Sequence, residues 1–526
     1  MTASDLHLSR VTHSLGARRL HSGIAIAATV GLSLGLGAFA ASGHSSKSVE
    51  ALVAFAAVTM LVWRFGLGAW LAILVLGSVD ALPGPELETI EVSVLHLTVS
   101  DTLIVVLILT LLFDNYRDGF RHLADTSVRR VLCLWSGALL LLWSVTVARS
   151  YVWSGIPLKH AMEYGRDFAF FAFLVPLFAA TLTKPRVLRV MLVALAIGVV
   201  GVDIADITSV VTHRALAFLV HSVRTDESNG VTRIFVNAQY LEVVAAMLGF
   251  GLLLLARERR LRLVGALLAP LSITAIALEL TRAQYVGCTV GLAVALIVWL
   301  VFNRRSGRFG RKHLARLTLI LIVFGAVIVL GPSSLIPNTA LSGVESRFSS
   351  VLTTLSSNNV SSNNAATSTV AYRKVEASQL EQVLGSRWIF GLGFLDPRNH
   401  YVLGIRGGSI RNGDVGVLNA VMTMGVIGAL LIYFPLVFIL VGLMWRAVTG
   451  SERAADSWIA FGIAAWIVSA LTSSVTLVSL FSSPGLSIAA LALGVGSACL
   501  TPAYSGIKEG IDRHDRYSKS PSGPFF

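Results

Sequence analysis

The chain has 526 residues, of which 55% are apolar and 13% charged, and its formal net charge is +13. Soluble globular proteins carry roughly 25% charged residues, and apolar runs of roughly 20 residues, each long enough to cross a bilayer, recur along the whole length. A soluble enzyme is thereby excluded, and the fold class is all-α: a polytopic helical membrane protein. The positive charge gathers beside the apolar runs, as in Arg257, Arg259, Arg260 and Arg262 or Arg304, Arg305, Arg308, Arg311 and Lys312. That placement sets topology and favours anionic membrane lipids as neighbours; it does not point to nucleic acid.

Residues 1–21 are polar and basic and read as a cytoplasmic tail. The first apolar run lacks a cleavage site, so it is expected to stay as a helix and not to be removed as a signal peptide. Expected spans lie at about 22–42, 49–63, 65–79, 99–113, 130–148, 167–183, 187–207, 238–256, 262–280, 284–302, 315–331, 425–445, 457–478 and 485–501. The second and third are short and separated only by Arg64. They form either a tight hairpin or a broken pair, so the expected number is 12 to 14. The domain plan is a transmembrane bundle over 22–331, a large extracytoplasmic loop over 332–424, C-terminal helices over 425–501 and a tail over 502–526. With the N-terminus inside, most of the 42 Lys and Arg fall on cytoplasmic segments, which places both termini inside and the long loop outside. Cys133, Cys288 and Cys499 all lie in apolar runs without metal-ligand spacing, so each reads as a small buried residue.

Asp101, at the head of its span, suits an N-cap. The outer segment 149–166 carries His160, and it spaces Glu163 and Arg166 three residues apart for a pair on a helix. Asp203 and Asp206 interrupt an apolar span near its outer end. Acids there face a polar cavity or a partner, or are simply hydrated. Arg233 precedes the run Asn237-Ala238-Gln239-Tyr240 that enters the next span, with Glu242 in its first turns. Arg282 stands in the hinge Thr281-Arg282-Ala283-Gln284-Tyr285 between two apolar runs. A lone interfacial arginine snorkels; two at helix junctions, beside amides and a tyrosine, point to an anion site, because the guanidinium fork matches phosphate.

In the long loop, residues 346–369 are rich in Ser, Asn and Thr. Residues 370–384 have helical periodicity, leaving Arg373 off the apolar face, and Gly385 would end that helix. Trp388 to Phe394 reads as a tight apolar turn at the membrane surface. His400 follows, and Asp414 stands before Gly425-Val426-Ile427-Gly428 at the start of a span. As an N-cap, Asp414 needs no further role.

Three stretches together resemble the O-antigen ligase and O-antigen or exopolysaccharide polymerase superfamily. Leu280 to Gly287 is similar to its "T-x-S-R-x-x-x-[LG]" helix junction. Arg233 to Gln239 is similar to its "R-x-x-G-x-F-x-N-P-N" segment. Arg373, then Trp388-Ile389-Phe390-Gly391-Leu392-Gly393, Asp414 and Gly425-Val426-Ile427-Gly428 follow the order of its outer loop. In that family an arginine precedes "P-[LI]-x-G-x-G", a His or Asp, and "G-[LI]-[IVL]-G" entering a helix. Thr281 stands here for the serine, Asn237-Ala238-Gln239 for "N-P-N", and Asp414 where ligases carry histidine, as in the polymerase branch.

The resemblance implies a glycosyltransferase on the outer face of the cytoplasmic membrane. It would move a glycan from a polyprenyl-diphosphate carrier to a glycan or lipid acceptor, without metal or other cofactor. Arg282 and Arg233, with Arg373 as a third, would hold the diphosphate, and Arg166 and Tyr285 are additional candidates. Asp414 is the first candidate for the base and His400 the second. The rival class is transport, as a lipid-linked-oligosaccharide flippase or another carrier, although no repeat relates the halves of the chain as carriers often show.

Overall fold

The computed structural model describes residues 62, 64–79, 81, 91–92, 97–154, 156–212, 224–228, 231–235, 239–278, 282–305, 381, 384–394, 402–403, 408–409, 416–449, 457–474 and 483–501. The described helices are α1 (Leu67–Ser78), α2 (Val99–Arg117), α3 (Ser127–Ser154), α4 (Leu158–Thr181), α5 (Pro185–Thr212), α6 (Gln239–Leu255), α7 (Arg259–Leu278), α8 (Arg282–Arg305), α9 (Gly416–Thr449), α10 (Ser457–Ser474) and α11 (Ser483–Leu500). Three two-stranded antiparallel hairpins accompany them: β1–β2 (Glu91–Val92, Leu97–Thr98), β3–β4 (Arg224–Ser228, Val231–Phe235) and β5–β6 (Val402–Leu403, Gly408–Ser409). The expected spans 22–42 and 315–331, and most of 49–63, lie outside the described residues. Gly66, at a φ of 74°, interrupts the helical run just ahead of α1.

Six of these helices are long and apolar enough to cross a membrane. Their exposed faces are apolar as well. On α9 the outward residues Leu430, Phe434, Val437, Val441 and Trp445 recur every three or four positions, and on α3 Leu134, Leu141, Val145 and Val152 recur at one or two helical turns. An apolar stripe on the outside of a bundle is what lipid contact requires, because the helical backbone satisfies its own hydrogen bonds. The protein is therefore a multi-pass helical membrane protein.

The chain divides into two compact units. In one, residues 1–74 with 184–195, the starts of α1 and α5 approach closely: a side chain at Gly68 would stand 2.6 Å from the Val187 carbonyl. The other, residues 75–183 with 196–526, holds the remaining elements. Small residues let backbones touch there, as they do in other membrane bundles. Gly287 and Gly291 of α8, spaced four apart, lie against the Ser469 and Ala465 carbonyls of α10. Gly265 of α7 lies against the Gly249 carbonyl of α6. Polar ties add specificity: Trp135 Nε1 donates to the Leu431 carbonyl (2.6 Å), joining α3 to α9, and Asn115 Nδ2 donates to Thr181 Oγ1 (3.0 Å), joining α2 to α4.

Within this second unit, the starts of α2, α4, α6, α8, α9 and α11 and the ends of α3, α5, α7 and α10 lie at one end of the bundle. Cross-links at that end include Tyr433 Oη donating to Ser474 Oγ (3.0 Å) and Gln284 Nε2 donating to Gln239 Oε1 (2.8 Å). Residues 385–394 sit at this end, which is called the loop end below.

Candidate functional site at the loop end

The loop end is built around a break in α9. Gly425 has φ 72° and ψ −175°, a conformation that essentially only glycine adopts. A break inside a membrane helix leaves carbonyls unpaired before it and amides unpaired after it, and in lipid each must find a partner. The segment Trp388–Phe394 supplies those partners. Leu392 N donates to the Met422 carbonyl (2.7 Å) and Gly393 N to the Thr423 carbonyl (3.0 Å). In return Val426 N donates to the Trp388 carbonyl (3.0 Å) and Ile427 N to the Ile389 carbonyl (3.4 Å). The apolar turn expected at the membrane surface is thus threaded into a helix break. Trp388, Ile389 and Phe390 stay exposed, while Leu392 and Phe394 are buried.

Two other helices clamp the segment. Arg149, near the end of α3, donates from Nη1 to the Phe390 carbonyl (2.8 Å) and from Nη2 to the Gly391 carbonyl (2.9 Å). Its guanidinium also lies 5.9 Å from the Phe390 ring centre. Ser150 Oγ accepts from Phe394 N (2.8 Å). The Phe394 ring stacks on Phe168 and fills the space over Gly165 of α4, where an added side chain would come within 2.5 Å of it. Gly391 packs so tightly that a Cβ there would meet the Gly425 amide at 2.5 Å.

The residues singled out from sequence divide into three groups. Arg373, His400 and Asp414 lie outside the described residues. Arg282 and Arg233 are described in their backbone only: Arg282 opens α8, and Arg233 pairs in register with Asp226 on the β3–β4 hairpin that precedes α6. Arg166 and Tyr285 are described fully. Tyr285 Oη donates to the Ala277 carbonyl of α7, so it ties the α7–α8 hinge together.

Arg166 does not pair with Glu163 as its spacing suggests. Its Nη2 lies 2.6 Å from Asp101 Oδ2, across from α2, while Glu163 Oε2 faces His160 Nδ1 at 3.4 Å. The cross-helix carboxylate is more buried and can reach the guanidinium directly, so it wins over the local i, i+3 partner. Asp101 is also not the N-cap of α2. Thr98 holds that position, with Asp101 as the reciprocal partner three residues on: Asp101 N donates to Thr98 Oγ1 (3.1 Å) and Thr98 N to Asp101 Oδ2 (2.9 Å).

Below the loop end, α5, α6 and α7 bring buried acids together. Asp203 Oδ2 accepts from Ser272 Oγ of α7 (2.7 Å), and Asp206 faces Glu242 of α6. All three carboxyl groups are buried. These acids therefore face partners; they are not hydrated at the surface. Two ionised carboxylates facing each other repel, and a shared proton or a bound cation removes the repulsion. Among the described residues no group of His, Cys, Asp and Glu has the arrangement of a metal site.

Arg149, Ser150 and Gly165 escape a reading of the sequence, as does Arg387, an exposed residue close enough to Arg149 to repel it. The available signal is a lone cation, Arg149, near the end of a long apolar helix. Compared with models of known protein families and with characterised protein sequences, the chain matches none.

Proposed function

We propose that the protein is a glycosyltransferase of the O-antigen ligase and polymerase type, taking its glycan from a polyprenyl-diphosphate lipid at the outer face of the cytoplasmic membrane. The observation that carries this reading is the threading of Trp388–Phe394 into the α9 break at Gly425. These are the two loop motifs of the resemblance, and they meet at the end of the bundle where Arg282 opens α8. The threaded segment and the helix start that carries Arg282 thus lie at the same end of the bundle.

The reaction follows from the charges. An acceptor hydroxyl oxygen attacks the anomeric carbon of the donor sugar, and the bond from that carbon to the diphosphate oxygen breaks. The base takes the hydroxyl proton, and polyprenyl diphosphate leaves with the bonding electron pair. Arg282, Arg233 and Arg373 are the residues proposed to stabilise the charge that gathers on the diphosphate. Asp414, or His400, is proposed as the base. Arg166 is satisfied by Asp101 and is assigned a structural role in joining α2 to α4.

The test is Arg282→Lys in a transfer assay with purified protein. Lysine keeps the charge but loses the fork. The rate is expected to fall by about 100-fold, the scale for losing one oxyanion-stabilising donor. Full activity would count against the diphosphate role.

The buried acids Asp203, Asp206 and Glu242 favour a second reading, an ion-coupled carrier of lipid-linked glycan, since intramembrane carboxyl groups mark ion paths. Movement of labelled lipid across liposomes in response to an ion gradient, without release of polyprenyl diphosphate, would select it.

A further inference from the structure

Trp388, Ile389 and Phe390 are 52%, 40% and 47% exposed. Three consecutive large apolar side chains left in water mark an interaction surface, and their surroundings show what covers them. Ile427 N donates to the Ile389 carbonyl (3.4 Å), and Ile427 heads the outward apolar face that continues down α9 through Leu430 and Phe434. The Phe390 carbonyl is held by Arg149 of α3. Arg149 comes four residues after Val145 and three before Val152, so it borders the outward apolar face of that helix. Below this point α3 and α9 are neighbours: the Trp135–Leu431 bond joins them, and a side chain at Gly428 would stand 3.5 Å from Leu142 Cδ2. The exposed turn therefore caps a lipid-facing seam between α3 and α9.

The cap is also cationic. Arg387, exposed just before Trp388, is close enough to Arg149 to repel it. Among the described residues no carboxylate forms an ion pair with Arg387. One anion beside both guanidiniums would relieve the repulsion, and aromatic side chains next to them suit the headgroup level of a bilayer.

We infer that this corner binds an anionic glycerophospholipid from the leaflet at the loop end. Its phosphate takes hydrogen bonds from Arg387 and charge from Arg149. Its acyl chains follow the α3–α9 seam under Ile389 and Phe390. A soluble phosphate is not the occupant, because it would leave the three apolar side chains uncovered. A zwitterionic lipid fits less well, because its ammonium brings a positive charge to a site that already holds two. This site is separate from the basic clusters beside the apolar runs at Arg257–Arg262 and Arg304–Lys312, and it does not depend on the proposed reaction.

The test photolabels the full-length protein in phosphatidylcholine nanodiscs. The probe is phosphatidylglycerol with a diazirine near the top of one acyl chain, and labelled peptides are mapped by mass spectrometry. Labelling is expected at Trp388–Phe390 and around Val145 and Ile427. Unlabelled phosphatidylglycerol should displace the probe there, and the same amount of added phosphatidylcholine should not. Arg387→Gln should lower this labelling about fivefold, the scale of one basic residue at an anionic membrane surface. Labelling around Leu134, at the far end of the α3 stripe, should not change, which also reports an intact fold. Equal displacement by the two lipids, or undiminished labelling in Arg387→Gln, would mean ordinary bilayer contact and would overturn the inference. An unlabelled Trp388–Phe390 peptide would put the turn in water and overturn it as well. Displacement by polyprenyl diphosphate at far lower concentration than phosphatidylglycerol would give the corner to that lipid and overturn the phospholipid assignment.

Discussion

Gly425, Gly391 and Arg149 hold the loop end together, and each does so by something no other residue type supplies. At Gly425 a Cβ would collide with the Ile389 carbonyl, and the backbone conformation alone would cost a non-glycine residue about 1–3 kcal/mol. Gly425→Ala is therefore expected to lower the heat-unfolding midpoint of the purified protein and abolish transfer. Gly119→Ala is the control: Gly119 shares the positive φ (63°) but has open space around it, so strain without a clash should leave transfer intact. Arg149 grips two successive carbonyls with one planar group. Lysine lacks that planar fork and cannot hold both carbonyls in the same geometry. In hydrogen exchange, the Leu392 and Gly393 amides are expected to be protected in the wild type and to exchange markedly faster in Arg149→Lys. Unchanged protection would mean that the helix break holds the segment without Arg149.

At the scale of elements, the helices were legible in the sequence because apolar runs between charged clusters mark them directly. The hinge expected around Arg282 falls where a new helix starts, whereas the break ahead of α1 falls at Gly66 and not at Arg64, where the sequence separates the two apolar runs. The glycine-rich turn was legible as a turn, but not as the partner of a broken helix. Gly425 reads as a helix entrance in sequence; only the meeting of Met422 and Thr423 with Leu392 and Gly393, about thirty positions apart, shows why the helix breaks there. The Arg166–Asp101 pair was hidden for the same reason, since local spacing offered Glu163 and tertiary packing supplied a better carboxylate. Arg373, His400 and Asp414, taken from the order of the loop motifs, lie outside the described residues. The buried acids are the element-scale test of mechanism. Asp206→Asn removes one charge from the pair facing across α5 and α6, and it is expected to raise the unfolding midpoint while preserving transfer. Loss of function with an altered ion dependence would shift the balance to the carrier reading.

For the whole molecule, the account requires the loop end to face away from the cytoplasm. A single cysteine at Ser386, in a background without the three native cysteines, is expected to react with a membrane-impermeant maleimide in intact cells. One at Ser518 in the C-terminal tail should react only after permeabilisation. The reverse pattern would invert the topology and remove the outer-face reaction. The measurement that bears most directly on function is transfer itself. Purified protein would be mixed with polyprenyl-diphosphate-linked glycan, with and without acceptor, in the presence of a chelator, and the lipid and glycan products separated. The account predicts free polyprenyl diphosphate in equal amount to the glycan transferred, with a lengthened glycan marking a polymerase and a glycosylated second acceptor marking a ligase. Intact donor lipid in every mixture, together with its passage across liposome membranes, would contradict the account.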